Sequence, residues 1–179
     1  VVLAAGGSKR LGRPKQRVVL GGEMLVERAA RVAMEAGLSP VIVVVRDHAL
    51  DEVLEGMGGV VVVVNEKADE GMGPSIRCGV AAVAGVDGVV VMTCDQVGVR
   101  AEHLRALSAD VGRVTGSGYA GKVGIPAYFP AEKFGELMKL EGDVGARELL
   151  RGARSVEDEG LELDVDTEED LRVARERFG

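Results

Sequence analysis

The segment GGSKRLGRPKQR, residues 6–17, sets two adjacent glycines ahead of Lys9, Arg10, Arg13, Lys15 and Arg17, with no acid before Glu23. Glycines let backbone N–H groups approach phosphate oxygens and a run of bases neutralises an anion, so the segment reads as a phosphate-binding loop. The chain carries a net charge of −7, and its other 17 bases face all 29 of its acids. One sign gathered in one place marks a local anion site rather than a mixed solvated surface. On this reading the five bases serve a nucleoside triphosphate. Spacing argues against two common loops. No arrangement of Gly6, Gly7 and Gly12 gives G-x-G-x-x-G, which removes support for hydride chemistry on a dinucleotide. Gly7 and Gly12 have the Walker A spacing, but Arg13 and Pro14 follow where Lys and Ser or Thr belong. Pro14 also biases Arg13 away from helix, so the loop must wander before any helix starts, carrying Arg10 and Lys15 over the site.

Carboxylates supply the complementary chemistry. Asp95 directly follows the apolar run VVVMTC, at the end of an expected buried strand. A hard oxygen donor there suits Mg²⁺, which takes one or two protein carboxylates and fills its remaining positions with phosphate and water. In ELDVDTEEDL, Asp164 and Asp166 alternate onto one face of an extended run, and either is a candidate second ligand. The same stretch also reads as acidic surface, since residues 155–179 hold ten acids against three bases. GMGPSIRCGV offers small residues for close approach of a base or ribose, with Ser75 and Arg77 as hydrogen-bond donors; it reads equally as a plain helix start. Asp143 reads as a helix cap, His48 and His103 as polar helical residues, and Cys78 and Cys94 as buried reduced thiols. No Ser-His-Asp set stands out.

These residues must be held by a sheet. Val1 to Ala4, Val41 to Val45, Val60 to Val64 and Val89 to Met92 are continuous apolar runs, the pattern of strands buried on both faces. Helices are expected between them at Leu25 to Ala36, His48 to Leu54, Ser75 to Ala84 and Ala101 to Leu107. After Val111 a glycine-rich stretch suggests a strand pair. Helices follow at Pro130 to Lys139 and Val144 to Arg151, then a strand at Leu161 to Val165 and a helix at Glu168 to Arg177 capped by Thr167 and Asp170. The fold expected is α/β: a Rossmann-like three-layer α/β/α arrangement with a mostly parallel central sheet, one domain over residues 1–179. The chain begins in a strand-like run without Met, so the first strand is expected to be longer. With no Trp, three Phe and two Tyr there is little to stack nucleic-acid bases on, and the acidic balance repels a phosphate backbone. No apolar run is long enough to span a bilayer and no signal-peptide pattern is present, so a cytoplasmic protein with no membrane partner is expected.

The motifs together resemble a known family. LAAGGSKRLGRPKQ is similar to the L-A-A-G-x-S-x-R-x-G-x-x-K loop of nucleotidyltransferases with a glycosyltransferase-A-like fold. GMGPSIRCGV, CDQ, G-x-P at Gly124 to Pro126, GDVGARELL and DVDTEEDL, in that order, resemble the molybdenum cofactor cytidylyltransferases and their relatives across the whole chain. That resemblance implies Mg²⁺-dependent transfer of a nucleoside monophosphate from an NTP, CTP in preference to GTP, to phosphorylated molybdopterin with release of pyrophosphate. It places Arg10 and Lys15 on the triphosphate, the backbone of Leu3, Ala4, Ala5, Gly6 and Gly7 against base and phosphates, Ser75 on base or ribose, and Asp95 with Asp166 on the metal. Val97, Glu168 and Ile125 depart from the family pattern where acceptor choice is decided. A sugar phosphate or another phosphorylated metabolite remains an alternative acceptor, and a non-catalytic nucleotide- or cofactor-binding module an alternative class.

Overall fold

The computed structural model describes residues 1–143 and 145–179. Strands β1 (Val2–Leu3), β2 (Val19–Leu20), β3 (Glu23–Met24), β4 (Val41–Val45), β5 (Val60–Val64), β6 (Gly88–Thr93), β7 (Thr115–Tyr119), β8 (Lys122–Pro130) and β9 (Arg154–Glu157) alternate with helices. The helices are α1 (Leu25–Glu35), α2 (Asp51–Glu55), α3 (Met72–Ala81), α4 (Ala101–Leu107), α5 (Phe134–Leu137) and α6 (Glu168–Phe178). Seven strands form one sheet in the order β5-β4-β1-β6-β8-β7-β9, and β2 pairs with β3 in a separate ribbon. The pairs β5/β4, β4/β1, β1/β6 and β7/β9 are parallel, whereas β8 runs antiparallel to both β6 and β7.

Alternation along the strands divides the core into two layers. Val41, Val43 and Val45 pack with α1 and α4 on one face, and Ile42 and Val44 pack with Ile76 and Val80 of α3 on the other. Branched valines suit this position, being stiff at χ1 and well packed on a pleated surface. The result is the three-layer α/β/α arrangement read from the sequence. Strand order reverses direction between β1 and β6, and the carboxyl ends of these two neighbours carry the glycine loop and Asp95. Open α/β sheets bind ligands in the crevice outside such a switch point.

A third, smaller core explains how distant segments reach that crevice. Leu11 and Val18 of the basic loop, Leu20 of the ribbon, Val97, Val165, and Leu171 and Ala174 of α6 bury one another. Leu171 alone, with no exposed surface, contributes about 1.5–3 kcal/mol by burial. The start of α6 is fixed by the expected capping box: Thr167 Oγ1 accepts from the Asp170 N–H at 3.2 Å, and Asp170 Oδ2 accepts from the Thr167 N–H at 2.8 Å.

Several local expectations are corrected. Leu161 to Val165 is not a ladder strand; a 3₁₀ turn covers Glu159–Glu162, Asp164 makes one isolated bridge with Gln96, and the last sheet strand is the polar β9. His48 to Leu54 splits into a 3₁₀ turn, His48–Leu50, and α2. Pro130 to Lys139 reduces to a 3₁₀ turn, Ala131–Lys133, and the single turn of α5. The helix expected from Val144 is a 3₁₀ stretch, Ala146–Leu150, with Val144 itself outside the described residues. Cys94 is buried but Cys78 is half-buried.

A Ser-His-Asp grouping does exist, as a structural element. His103 Nε2 lies 2.7 Å from Ser117 Oγ, which donates to the Pro126 carbonyl at 2.5 Å, and His103 Nδ1 lies 3.7 Å from Asp158. Ser117 is fully buried, so no substrate reaches it. Burial lowers the His103 pKa, with Arg100 adding to the effect and Asp158 opposing it. The fold therefore binds this proton less tightly than the unfolded chain does, and stability declines as pH falls from about 6.5 through the depressed value. His103→Gln should flatten the fall in urea-unfolding stability between pH 7 and pH 5; an unchanged slope would remove His103 as its source.

Candidate active site

The loop from Ala4 to Gln16 is built by three local devices. Ser8 takes φ +47° and its Oγ accepts from the Lys15 N–H at 2.9 Å, Gly12 takes φ +71° and donates from its N–H to the Ser8 carbonyl at 3.1 Å, and Leu11 anchors the tip in the third core. Pro14 then starts only a short 3₁₀ turn, Lys15–Arg17, and the first long helix waits until Leu25. The detour closes a cleft of about 350 Å³. Leu3, Ala4, Ala5, Gly6, Gly7, Lys15, Ser75 and Asp95 all line it. Of the other residues singled out from the sequence, Arg10, Arg77, Asp164 and Asp166 are not on its lining.

At the cleft floor the Lys15 ammonium donates to Asp95 Oδ2 and to Asp166 Oδ1, the latter at 2.9 Å. Arg10 reaches Asp166 Oδ2 at 2.5 Å although its side chain is 71% exposed. Burial alone would depress the Lys15 pKa, but the charges and hydrogen bonds of Asp95 and Asp166 outweigh it and hold the value above the ordinary lysine range. At Asp164 the balance runs the other way: burial first, then the Asp95 and Asp166 carboxylates, outweigh the opposing charge of Lys15 and push it up to about 7. Val165 between them is buried, and its N–H, donating to the Asp95 carbonyl at 3.0 Å, holds this stretch against the end of β6. Burial, with a contribution from Asp95, raises the Cys94 thiol as well, so it lines the cleft uncharged.

The donor set fits a hard divalent cation. Asp95 Oδ1 is buried and makes no hydrogen bond, while Asp95 Oδ2 and Asp166 Oδ1 converge on one ammonium. Among the described residues no group of three or more His, Cys, Asp or Glu side chains forms an all-protein metal cage. Two carboxylates at a glycine-lined cleft match the sparing use of protein ligands by Mg²⁺.

Other expected site residues take different parts. Ser75 Oγ accepts from Asn65 Nδ2 at 2.9 Å, so a buried asparagine with no local motif around it orients this hydroxyl. Arg77 donates to the Leu140 carbonyl, away from the cleft. Gly71 and Gly73 admit backbone, not base: a Cβ on Gly71 would collide with Gly142, and one on Gly73 would lie 2.9 Å from the Glu141 nitrogen. Arg13 pairs with Glu168 and Arg17 donates to the Ala49 carbonyl, so two of the five bases tie the loop to the rest of the chain. Asp143 is not the cap of the following turn, a place taken by Gly145, and instead lines the cleft. Arg46, following β4, lines it too; its Nη2 lies 3.4 Å from where a Gly7 Cβ would be, and Nη1 pairs with Asp69 at 2.8 Å, whose side chain is 84% exposed. Such a pair is worth little in water and exchanges readily for a phosphate. The signal for Arg46 was a base at the carboxyl end of a buried strand.

The model of the MobA-like NTP transferase domain matches residues 1–159. The chain belongs to this family. It is similar to the purine catabolism protein PucB of Bacillus subtilis, at 34% identity over 98% of this chain and 94% of that one. A probable molybdenum cofactor guanylyltransferase of Opitutus terrae is 36% identical over 56% of this chain and 48% of its own. The nicotine blue oxidoreductase of Paenarthrobacter nicotinovorans is 31% identical over 96% and 93%. Among solved structures, the manganese complex of Rv0371c from Mycobacterium tuberculosis superposes with a TM-score of 0.77 at 32% identity, covering 98% of this chain and 96% of that one. Family membership makes this a nucleotidyltransferase-type domain. Among the described residues no helix is long and apolar enough to cross a membrane.

Removing the Lys15 ammonium leaves partly buried carboxylates facing one another. Lys15→Ala should lower stability at pH 8 by about 3 kcal/mol, a fall in Tm on the order of 10 °C, and millimolar Mn²⁺ should restore much of it. A thermal melt with and without Mn²⁺ checks this; no metal rescue would count against the two carboxylates as a metal site.

Proposed function

We propose that the protein transfers CMP from CTP to a phosphorylated acceptor, molybdopterin, with release of pyrophosphate, and that Mg²⁺ held by Asp95 and Asp166 is required. The observation that carries this reading is the single ammonium of Lys15, in a glycine-lined cleft, bridging Asp95 on the same lining and Asp166 beside it. Groups that want a triphosphate and groups that want a cation sit against each other there. The manganese complex of the similar Rv0371c supports a divalent ion, and the guanylyltransferase relative supports a molybdenum cofactor acceptor.

Lys15, freed from Asp95 and Asp166, would turn its charge to the triphosphate. Arg10 would join it, and Arg46 would leave Asp69 for a phosphate oxygen. Backbone from Leu3 to Gly7 would take base and phosphates, and Ser75, oriented by Asn65, the base or ribose. An oxygen of the acceptor phosphate attacks the α-phosphorus; that P–O bond forms as the α–β bridging bond breaks, and the electron pair departs with pyrophosphate. The nucleophile is already anionic, so no side chain need remove a proton, and the chain's part is positioning and charge. Bound Mg²⁺ would supply Lewis-acid polarisation of phosphate oxygens.

A second reading rests on the relative named as an oxidoreductase: a redox reaction in the same cleft, for which NAD is the probe. The two separate in a thermal-shift panel of CTP, GTP, ATP, UTP and NAD with and without Mg²⁺, since a ligand bound to the native state raises its stability by mass action. Selective stabilisation by CTP with Mg²⁺ is expected. Preference for another triphosphate would replace the donor, and preference for NAD would replace the reaction. With the donor in hand, Asp95→Ala should lower pyrophosphate release at least about 100-fold while the circular dichroism spectrum stays unchanged; wild-type release would remove the metal role of Asp95.

A further inference from the structure

A small cavity of about 130 Å³ adjoins the donor cleft and shares Gln16 and Arg46 with it. The rest of its wall comes from the basic loop at Pro14 and the 3₁₀ turn Lys15–Arg17, and from the end of β4 with the turn His48–Leu50 after it. With about 30 Å³ for a water molecule in the liquid, the cavity has room for roughly four water-sized groups. That suits a compact polyanion and is too small for a nucleoside. Gln16 gives the cavity its chemistry. It is 9% exposed, it stands on the lining of both cavities, and its amide makes no hydrogen bond among the described residues. The other buried polar side chains, from Asn65 to Ser117, each make at least one. A buried amide without a partner is costly, and a hydrogen-bonding ligand removes that cost.

Two guanidinium groups stand beside it. Arg17 Nη2 donates to the Ala49 carbonyl at 2.7 Å, which fixes that side chain on the wall, and its other N–H groups have no partner among the described residues. Arg46 pairs through Nη1 with the exposed Asp69. The acid on the lining, Asp47, already has one oxygen on the Ala49 N–H at 2.9 Å. Two positive groups against one carboxylate leave the cavity net positive, and guanidinium forks match phosphate oxygens. Val45 and Leu50 are buried behind them, and a wall of low polarity strengthens the attraction.

We propose that this cavity is a second anion site, separate from the donor cleft, that takes free inorganic pyrophosphate, with the Gln16 amide and the Arg17 and Arg46 guanidinium groups as its donors. The choice of a diphosphate rests on the nucleotidyltransferase reading above, since that reaction would release pyrophosphate on the other side of the wall formed by Gln16 and Arg46. The product would leave the cleft by way of this cavity and remain there as its concentration rises. Pyrophosphate therefore binds while a new nucleoside triphosphate occupies the cleft.

The test is calorimetric titration of inorganic pyrophosphate into the full chain, with Mg²⁺ and a saturating α,β-methylene analogue of CTP filling the donor cleft. Pyrophosphate should bind with the analogue in place, and orthophosphate should displace it only at about tenfold excess or more. Ala49 is exposed, and it lines this cavity but not the cleft. Ala49→Phe should therefore fill the cavity and weaken pyrophosphate at least about tenfold, with affinity for the analogue unchanged. Gln16→Leu, which keeps the bulk and removes the amide, should weaken pyrophosphate as well. Complete displacement of pyrophosphate by the analogue, wild-type pyrophosphate affinity in either variant, or equal competition by orthophosphate would each overturn the proposal. If neither a nucleoside triphosphate nor the analogue binds, the donor reading fails on its own; pyrophosphate binding that is lost in Ala49→Phe would still support the cavity as a diphosphate site.

Discussion

Two carboxylates and one ammonium at the end of a buried strand are the constraint around which the rest is arranged. Asp95 is 7% exposed, and a charge so placed is tolerated only with a partner. Lys15 provides it by reaching back from a loop, and Asp166 completes it from a segment more than 150 residues further along the chain. The arrangement is internally balanced yet incomplete, because Asp95 Oδ1 is left with no hydrogen bond. A site that has satisfied its charges against each other can exchange each of them for a ligand of opposite sign without gaining a bare buried charge.

Much of what brings these groups together is apolar. The switch between β1 and β6 puts the glycine loop and Asp95 side by side, and the third core presses α6 and the basic loop onto the turn after Asp95. Leu11 and Leu171 do not line the cleft, yet without their burial Lys15 and Asp166 would belong to two solvated segments. Function in this fold therefore depends on a satellite core as well as on the sheet.

The site was legible where chemistry and position coincide in a few adjacent residues. Gly6, Gly7 and Lys15 lie in one loop, Asp95 follows an apolar run, and the Thr167–Asp170 cap announces itself by spacing. Partnership across the chain was less legible. Arg10, Arg13 and Arg17 look alike in the sequence, but only their surroundings assign one to Asp166, one to Glu168 and one to a backbone carbonyl. Asn65 and Arg46 have no local motif. The edge strand β9, RSVE, is too polar to read as sheet, whereas LELDV alternates like a strand and is instead held by a turn and a single bridge. Alternation records which side chains turn inward; it does not record whether a neighbouring strand exists.

The most direct test of the charge exchange is anomalous diffraction from crystals grown with Mn²⁺ and CTP. The account predicts a manganese peak contacting Asp95 and Asp166, with the Lys15 ammonium moved off both carboxylates and onto the triphosphate. A metal bound elsewhere, or Lys15 still seated between Asp95 and Asp166 with nucleotide present, would contradict it.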